Sequence, residues 1–295
     1  MDQVTSSTRD AMDADRLAAR AMDGLPLVER RLALAKVSTV VLEGGEGPPM
    51  VLLHGQGGFG AFMGGMAAQL VDRYRVVVPD LPGLGRSEIS NGPLDPSRVI
   101  DWLRELVADT CDQPPILFGA SLGGSIAARF AIHQPDGLVK LILMDSGSLG
   151  AFRPAPSVLL ALIRFSRAPN LTTAQKMQEV IFYDAQRVRA QMGERMTALL
   201  DYQMERAKQP TVRAANRTLL RTLGTKRIHD DELRRIAVPV SLVWGRHDRV
   251  MKFGIAERAS RKFGWPLFPI DDAGHLPIAE QPAAFGEALN TILAG

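Results

Sequence analysis

The chain has 295 residues, 46% of them apolar and 23% charged, which suits one large α/β domain or two small ones with a sizeable core. A net charge of +3 excludes a bulk polyelectrolyte role on nucleic acid or an anionic membrane, and a single cysteine, Cys111, excludes an internal disulfide framework and fits a reducing, cytoplasmic compartment. The acidic opening "MDQVTSSTRDAMDADRLAARAMDG" does not have the pattern of a secretory signal, and no run of apolar residues is long enough for a transmembrane span.

Residues 9–23 form a short amphipathic pattern, with Met12, Leu17, Ala18 and Met22 on one face, and residues 1–27 read as an N-terminal helical arm. "VERRLAL" and "VSTVVLE" predict an antiparallel pair that ends at "GGEGPP". An alternation follows: strand "PMVLLHG", helix "AFMGGMAAQLVD", strand "YRVVVPDL", helix "DPSRVIDWLRELVADT", strand "PPILFGAS", helix "LGGSIAARFAIHQ" and strand "GLVKLILMD". Short buried strands between longer periodic segments predict βαβ units, hence a mostly parallel twisted sheet flanked by helices. Asp95 and Ser97 are candidate N-caps, and Gly137 a candidate helix stop.

Past Gly150 the alternation breaks into helical segments without strands: "PSVLLALIRFSRA", "TTAQKMQEVIF", "AQRVRAQMGERMTALLDYQMERA" and "TVRAANRTLLRTL". Strands return at "VPVSLVWG" and "PLFPI", separated by a helix near 252–262, and "PAAFGEALNTIL" closes the chain as a helix. The expected organisation is therefore an α/β core of residues 28–150 and 236–295, interrupted by a helical lid over 151–235.

Within the third strand–helix unit, Gly119-Ala120-Ser121-Leu122-Gly123 has the G-x-S-x-G spacing of a nucleophile elbow. Glycines flank the serine because a sharp turn brings neighbouring backbone too close for a Cβ. The turn would lift the Ser121 hydroxyl above the sheet and set the Leu122 N–H at a helix N-terminus, where an oxyanion is stabilised. Out of context the same spacing describes an ordinary Gly/Ser-rich turn. A serine nucleophile needs a base and the base an orienting acid. Of five histidines, His275 lies in "DDAGHLPIAEQP", a loop after the last strand with no evident packing role, and Asp248 ends the preceding strand in "VWGRHDRV". Functional groups gather at strand carboxyl ends in open α/β sheets.

The chain order Ser121, Asp248, His275, together with "LLHGQGG", "DLPGLGRS", "GASLGG", "WGRHD" and "AGHLPIAEQP", resembles the α/β-hydrolase fold superfamily in its lid-bearing serine hydrolase and esterase branch, over roughly Val28 to Leu293. The resemblance implies a second oxyanion donor at the backbone N–H of Gln56, with Gly57 and Gly58 opening the approach and His54 holding the loop. It implies Asp145 as the alternative acid. It also implies an acyl-enzyme mechanism that requires neither metal nor organic cofactor. The expected substrate is a small or medium apolar ester or lactone. The alternatives are cleavage of a carbon–carbon bond in a carboxylate-bearing vinylogous diketone, acyl transfer or perhydrolysis; a binding protein on the same scaffold would not need all three residues. Leu276 stands where many carbon–carbon hydrolases of this type carry tryptophan.

Gly57, Phe59, Phe62, Met144 and Leu276 are candidate pocket residues, with Leu122 and Trp244 nearby, core packing being the plainer role for Trp244. Between Ala151 and His229, fourteen Lys/Arg against five Asp/Glu leave a net +9, so the rest of the chain carries −6. Most of these charges suit solvated helix faces, but one or two arginines facing the pocket would hold an anion. Met177, Met192, Met196 and Met204 suit packing or an adaptable pocket floor. Neither a nucleic-acid nor a membrane partner is expected; homo-oligomerisation is left open.

Overall fold

A computed structural model describes residues 15–295 of the chain. Met12 and the first part of the predicted arm helix lie outside the described residues. Residues 15–22 are helical (α1), with Ala18 and Ala21 buried against Phe59, Leu199 and Tyr202.

The strands are β1 (Val28–Leu34), β2 (Val37–Gly44), β3 (Pro49–Leu53), β4 (Arg75–Pro79), β5 (Glu88–Ile89), β6 (Ile116–Ala120), β7 (Lys140–Met144), β8 (Val240–Gly245) and β9 (Leu267–Ile270). They form one sheet in the order β1-β2-β4-β3-β6-β7-β8-β9, with the two-residue β5 beside β2. From β4 to β9 every pairing is parallel, while β2 meets β1, β4 and β5 antiparallel. The chain enters the parallel part at β3, moves out to β4, then returns to place β6 on the other side of β3. The loops after β3 and β6 therefore sit side by side at a switch in strand order, where α/β sheets form their ligand crevice.

Alternation along the strands fills two cores. Val51, Leu53, Val77, Leu117, Leu141, Leu143, Leu242 and Trp244 face one way; Met50, Leu52, Val76, Val78, Phe118, Ile142, Met144 and Val243 face the other. Burial on both sides is why these strands read as continuous apolar runs. The first core is closed by α3 (Pro96–Thr110), α4 (Leu122–His133) and α11 (Gly254–Phe263), the second by α2 (Gly64–Leu70) and α13 (Pro282–Ala294). On α3, Val99, Trp102, Leu103 and Leu106 bury one stripe at helical spacing. Trp244 is fully buried and its Nε1–H donates to the Met251 carbonyl at 2.6 Å.

Between β7 and β8 lie α5 (Pro156–Arg167), α6 (Leu171–Ile181), α7 (Ala185–Met192), α8 (Glu194–Lys208), α9 (Pro210–Leu219) and the short α10 (Asp230–Leu233). Another single-turn helix, α12 (Pro277–Glu280), follows the β9 loop. Three local expectations need correction. The segment from Ala185 to Ala207 is two helices, because Gly193 adopts φ +53° and breaks the pattern. Asp95 caps α3 by accepting from the Arg98 N–H, with Pro96 at the first helical position, so Ser97 lies inside the first turn and donates to Asp95 instead. Helix α4 ends at His133 with Gln134 as its C-cap, and Gly137 sits in the turn beyond it.

Candidate active site

Ser121 joins β6 to α4 at φ 51° and ψ −110°, a conformation that costs an ordinary residue roughly 1–3 kcal/mol. Its neighbourhood holds it there. The Ser121 N–H donates to the Met144 carbonyl at 2.9 Å, and its own carbonyl accepts from Gly147 at 3.0 Å and Ser125 at 3.1 Å. The glycines are demanded by close approach: a Cβ on Gly123 would sit 2.4 Å from the Leu53 carbonyl oxygen, and one on Gly119 2.6 Å from that of Gly123. The turn is thus pressed against the end of β3.

The Ser121 hydroxyl is 3.0 Å from His275 Nε2, and His275 Nδ1 is 2.8 Å from Asp248 Oδ2. Asp248 Oδ1 accepts from the N–H groups of Val250 at 2.7 Å and Met251 at 2.9 Å. The structure therefore brings the three sequence-selected residues into one hydrogen-bonded chain, with His275 and Asp248 only 7% and 5% exposed. An ionised Asp248 accepts the Nδ1–H and leaves Nε2 as acceptor for the serine hydroxyl. This chain of contacts can draw the proton from Ser121 and hold the imidazolium that results.

The other histidines stand elsewhere. His133 and His229 are exposed, and exposed His247 stacks on Tyr183 with ring centroids 4.4 Å apart. His54 is buried: Nε2 accepts from the Leu81 N–H at 3.0 Å and Nδ1 donates to the Gly55 carbonyl at 2.8 Å. Burial drives its pKa from 6.5 down to about 4, so it ties the β3 loop to the β4 loop as a neutral ring. Buried Asp80 does the same for its own loop, accepting from the Gly60 and Arg86 N–H groups, with its pKa pushed up to about 6, chiefly by desolvation.

The β3 loop lies against the elbow. A Cβ on Gly55 would be 3.3 Å from Ser121 Cβ. Next in the chain is Gln56, whose backbone N–H, like that of Leu122, is not taken up by a turn or loop hydrogen bond among the described residues. Gly57, at φ +63°, is gripped twice: its N–H donates to Asn216 Oδ1 at 3.1 Å, and its carbonyl accepts from Gln203 Nε2 at 3.0 Å. Helices α8 and α9 are thereby fastened to the loop.

A cleft of about 300 Å³ opens beside this clamp. Gln56, Gly57 and Phe59 line it, with an apolar wall from α5, notably Leu159, Leu162 and Ile163. Arg206, Arg213 and Arg217 line it too, and no acidic side chain does among the described residues. Phe62, Met144 and Leu276 are not part of its lining: Phe62 packs edge-on to Phe59, Met144 is fully buried in β7, and Leu276 packs between the second core and the α6–α8 cluster. Met192, Met196 and Met204 belong to that same cluster, away from the cleft wall. Ser121 and His275 are not part of the cleft lining either.

Three contributors escaped the sequence reading. Gln203 and Asn216 are two, and Glu280 is the third. Glu280 is 1% exposed; it accepts from Gly274 at 2.9 Å, Leu276 at 3.2 Å and Tyr183 at 2.6 Å, bracing both sides of His275. Its only local signal is an acid within an otherwise apolar helical turn, "PIAEQP". Asp145, the alternative acid, is also here. It is fully buried; Asp145, Asp248 and His275 each place one oxygen or nitrogen within 4.8 Å of the others. Two carboxyls and one imidazole are a conceivable cation-ligand set, but Asp248 already receives the His275 ring and two backbone N–H groups.

The profile of the alpha/beta hydrolase family matches residues 50–288. The chain belongs to the alpha/beta hydrolase family. As a member it is a hydrolase. It is 31% identical over 250 residues to the pimeloyl-[acyl-carrier protein] methyl ester esterase of Aeromonas salmonicida, covering 82% of this chain and 94% of that one. It is 28% identical over 218 residues to the 2-hydroxy-6-oxo-6-phenylhexa-2,4-dienoate hydrolase of Comamonas testosteroni, covering 70% of this chain and 73% of that one. Among solved structures it resembles that of a membrane phospholipase A described as a bacterial virulence factor, with a TM-score of 0.77, 26% identity, and coverage of 98% of this chain and 91% of the other. None of the helices in the described residues is long and apolar enough to cross a membrane.

Proposed function

We propose that this hydrolase cleaves a carboxylic ester or lactone through an acyl-enzyme on Ser121. The reading rests on one observation: the continuous contact from Ser121 Oγ through His275 to Asp248, at 3.0 and 2.8 Å. His275 takes the hydroxyl proton as Ser121 attacks the carbonyl carbon. The Leu122 and Gln56 N–H groups receive the oxyanion. His275 then protonates the departing alkoxide, and a water activated by the same imidazole releases the acid. The helices between β7 and β8 act as the lid, and their apolar wall takes the hydrocarbon part of the substrate. Three arginines in a cleft lining that holds no acidic side chain among the described residues favour substrates that carry a carboxylate or another anion away from the scissile bond.

The same features support a second reading. A carbon–carbon bond hydrolase acting on a carboxylate-bearing diketone would use the same serine and the same cations, and the likeness to the dienoate hydrolase favours it. Turnover of p-nitrophenyl butyrate by the native protein and by Ser121→Ala tests the first reading. A substrate panel of methyl esters of dicarboxylic acids, neutral esters, lactones, a ring-fission dienoate and a phospholipid separates the alternatives. Cleavage of the dienoate with esters untouched would replace the first reading by the second; ester turnover that survives loss of the hydroxyl would remove both.

A further inference from the structure

Asp145 follows β7, next to Met144, and is fully buried with φ +43°. One carboxyl oxygen, Oδ1, accepts from the Gly245 N–H at 3.1 Å. The other, Oδ2, has no hydrogen-bond partner among the described residues. A buried oxygen left without a donor is costly, and the expense disappears if that oxygen carries a proton and donates it. The acceptor at hand is Asp248, a member of the same cluster within 4.8 Å. Asp248 is served by three donors and Asp145 by one, so of these two neighbouring buried carboxyls Asp248 is the better placed to keep the charge.

We propose that Asp145 is a neutral carboxylic acid whose Oδ2 hydroxyl donates to the Asp248 carboxylate, making it a positioning residue for the Asp248–His275 pair. The inference rests on the Ser121–His275–Asp248 reading. The groups facing Asp145 are Asp248, His275 and Glu280; two are acids, and the imidazole is already hydrogen-bonded to Asp248. Burial first, then the Asp248 charge, pushes the Asp145 carboxyl well above the usual carboxylate range, in keeping with the geometry. The donated bond fixes the second face of Asp248 and draws part of its charge away from the imidazolium, so that losing it would let Asp248 hold the imidazolium more strongly.

Infrared difference spectra and pH–rate profiles test this. In wild-type protein at neutral pH, minus Asp145→Asn, a protonated carboxyl C=O stretch is expected. Asp145→Leu removes both the donor to Asp248 and the acceptor of Gly245; kcat/KM for p-nitrophenyl butyrate is expected to fall ~10-fold, with the acid limb moved to higher pH. Asp145→Asn supplies an N–H to Asp248 and a carbonyl to Gly245, and is expected to restore most of the activity with the limb back at its wild-type position. A missing infrared band, or an acid limb displaced to lower pH in Asp145→Asn, would mean an ionised Asp145 and overturn the proposal. So would a folded Asp145→Leu protein with an unmoved profile. If Asp145→Leu does not fold, the spectrum and the Asn profile decide. Failure of the Ser121 reading is seen separately, as turnover retained by Ser121→Ala, and leaves the infrared result interpretable.

Discussion

The backbone N–H of His275 donates to the carbonyl of Ile181, 2.8 Å away at the end of α6. The loop that presents the imidazole is therefore built partly by the helices between β7 and β8. Glu280 reinforces the join, since it accepts from Gly274 and Leu276 on either side of His275 and from Tyr183 just past Ile181.

Glu280→Ala strands three N–H groups, at a cost of ~1–3 kcal/mol for each that stays buried. We expect a Tm lower by several degrees and a kcat lower by roughly tenfold, with KM changed less, since the loss falls on the position of the His275 imidazole, the base of the proposed mechanism. Glu280→Gln should recover only part, because its amide turns an N–H toward one of the same donors. Calorimetry and steady-state kinetics on both variants check this.

Ser121→Ala should lower kcat by ~10³-fold or more while leaving Tm unchanged or slightly higher. The hydroxyl's hydrogen bond is to His275, and the elbow is held by backbone contacts that the alanine keeps. A parallel melt and a p-nitrophenyl butyrate assay measure the two effects.

His54 and Asp80 tilt stability in opposite directions with pH. Asp80, raised from 3.8 to about 6, binds a proton in the folded state that the unfolded chain releases, so its contribution is full below about pH 4 and is lost as pH rises toward 6. His54, lowered from 6.5 to about 4, behaves inversely: its contribution is full above 6.5 and is lost as pH falls toward 4. Each shift corresponds to roughly 3 kcal/mol, so the two nearly cancel across the window. Relative to wild type, Asp80→Asn should show stability climbing with pH from 4 to 6.5, and His54→Gln should show it declining. Urea unfolding at intervals of pH reads both slopes.

Two glycine substitutions should part company. Gly123→Ala places a Cβ 2.4 Å from the Leu53 carbonyl oxygen and 2.6 Å from that of His54, and must displace either β3 or the elbow. We expect a loss of ~3 kcal/mol or more and an activity loss beyond that explained by unfolded protein. Gly65→Ala, in the first turn of α2 with nothing within 4 Å of the new methyl, should gain ~0.5–1 kcal/mol. Denaturant midpoints for the pair provide the comparison.

What could be read in advance follows the range of the interactions. The β6–Ser121–α4 elbow is legible because strand, glycines, serine and helix are contiguous, and the parallel strands because each is apolar on both faces. Asp248 and His275 are legible through their place at strand ends and their order in the chain. The Gly57 grip is not: Gln203 and Asn216 stand 146 and 159 residues away, and an amide on a helix carries no mark of what it will meet. Glu280 is hidden for the same reason, 97 residues from Tyr183. The break at Gly193 fails for another: one glycine inside a periodic pattern is compatible with an unbroken helix, and only its φ of +53° settles the matter. At α3, Asp95 prevails over Ser97 because Pro96 fixes the first helical position.

Holding a single residue by both its N–H and its carbonyl, on the two peptide units that flank its Cα, gives the Gln203–Gly57–Asn216 contact a mechanical meaning. Helices α8 and α9 cannot swing outward without tugging on the residue beside Gln56. Any opening of the cleft wide enough to admit a bulky guest would thus slacken the turn that carries the Gln56 N–H, and re-seating the helices would tighten it again. A chimaera that borrowed these helices from a relative lacking the two amides should enclose its ligand yet leave that turn loose.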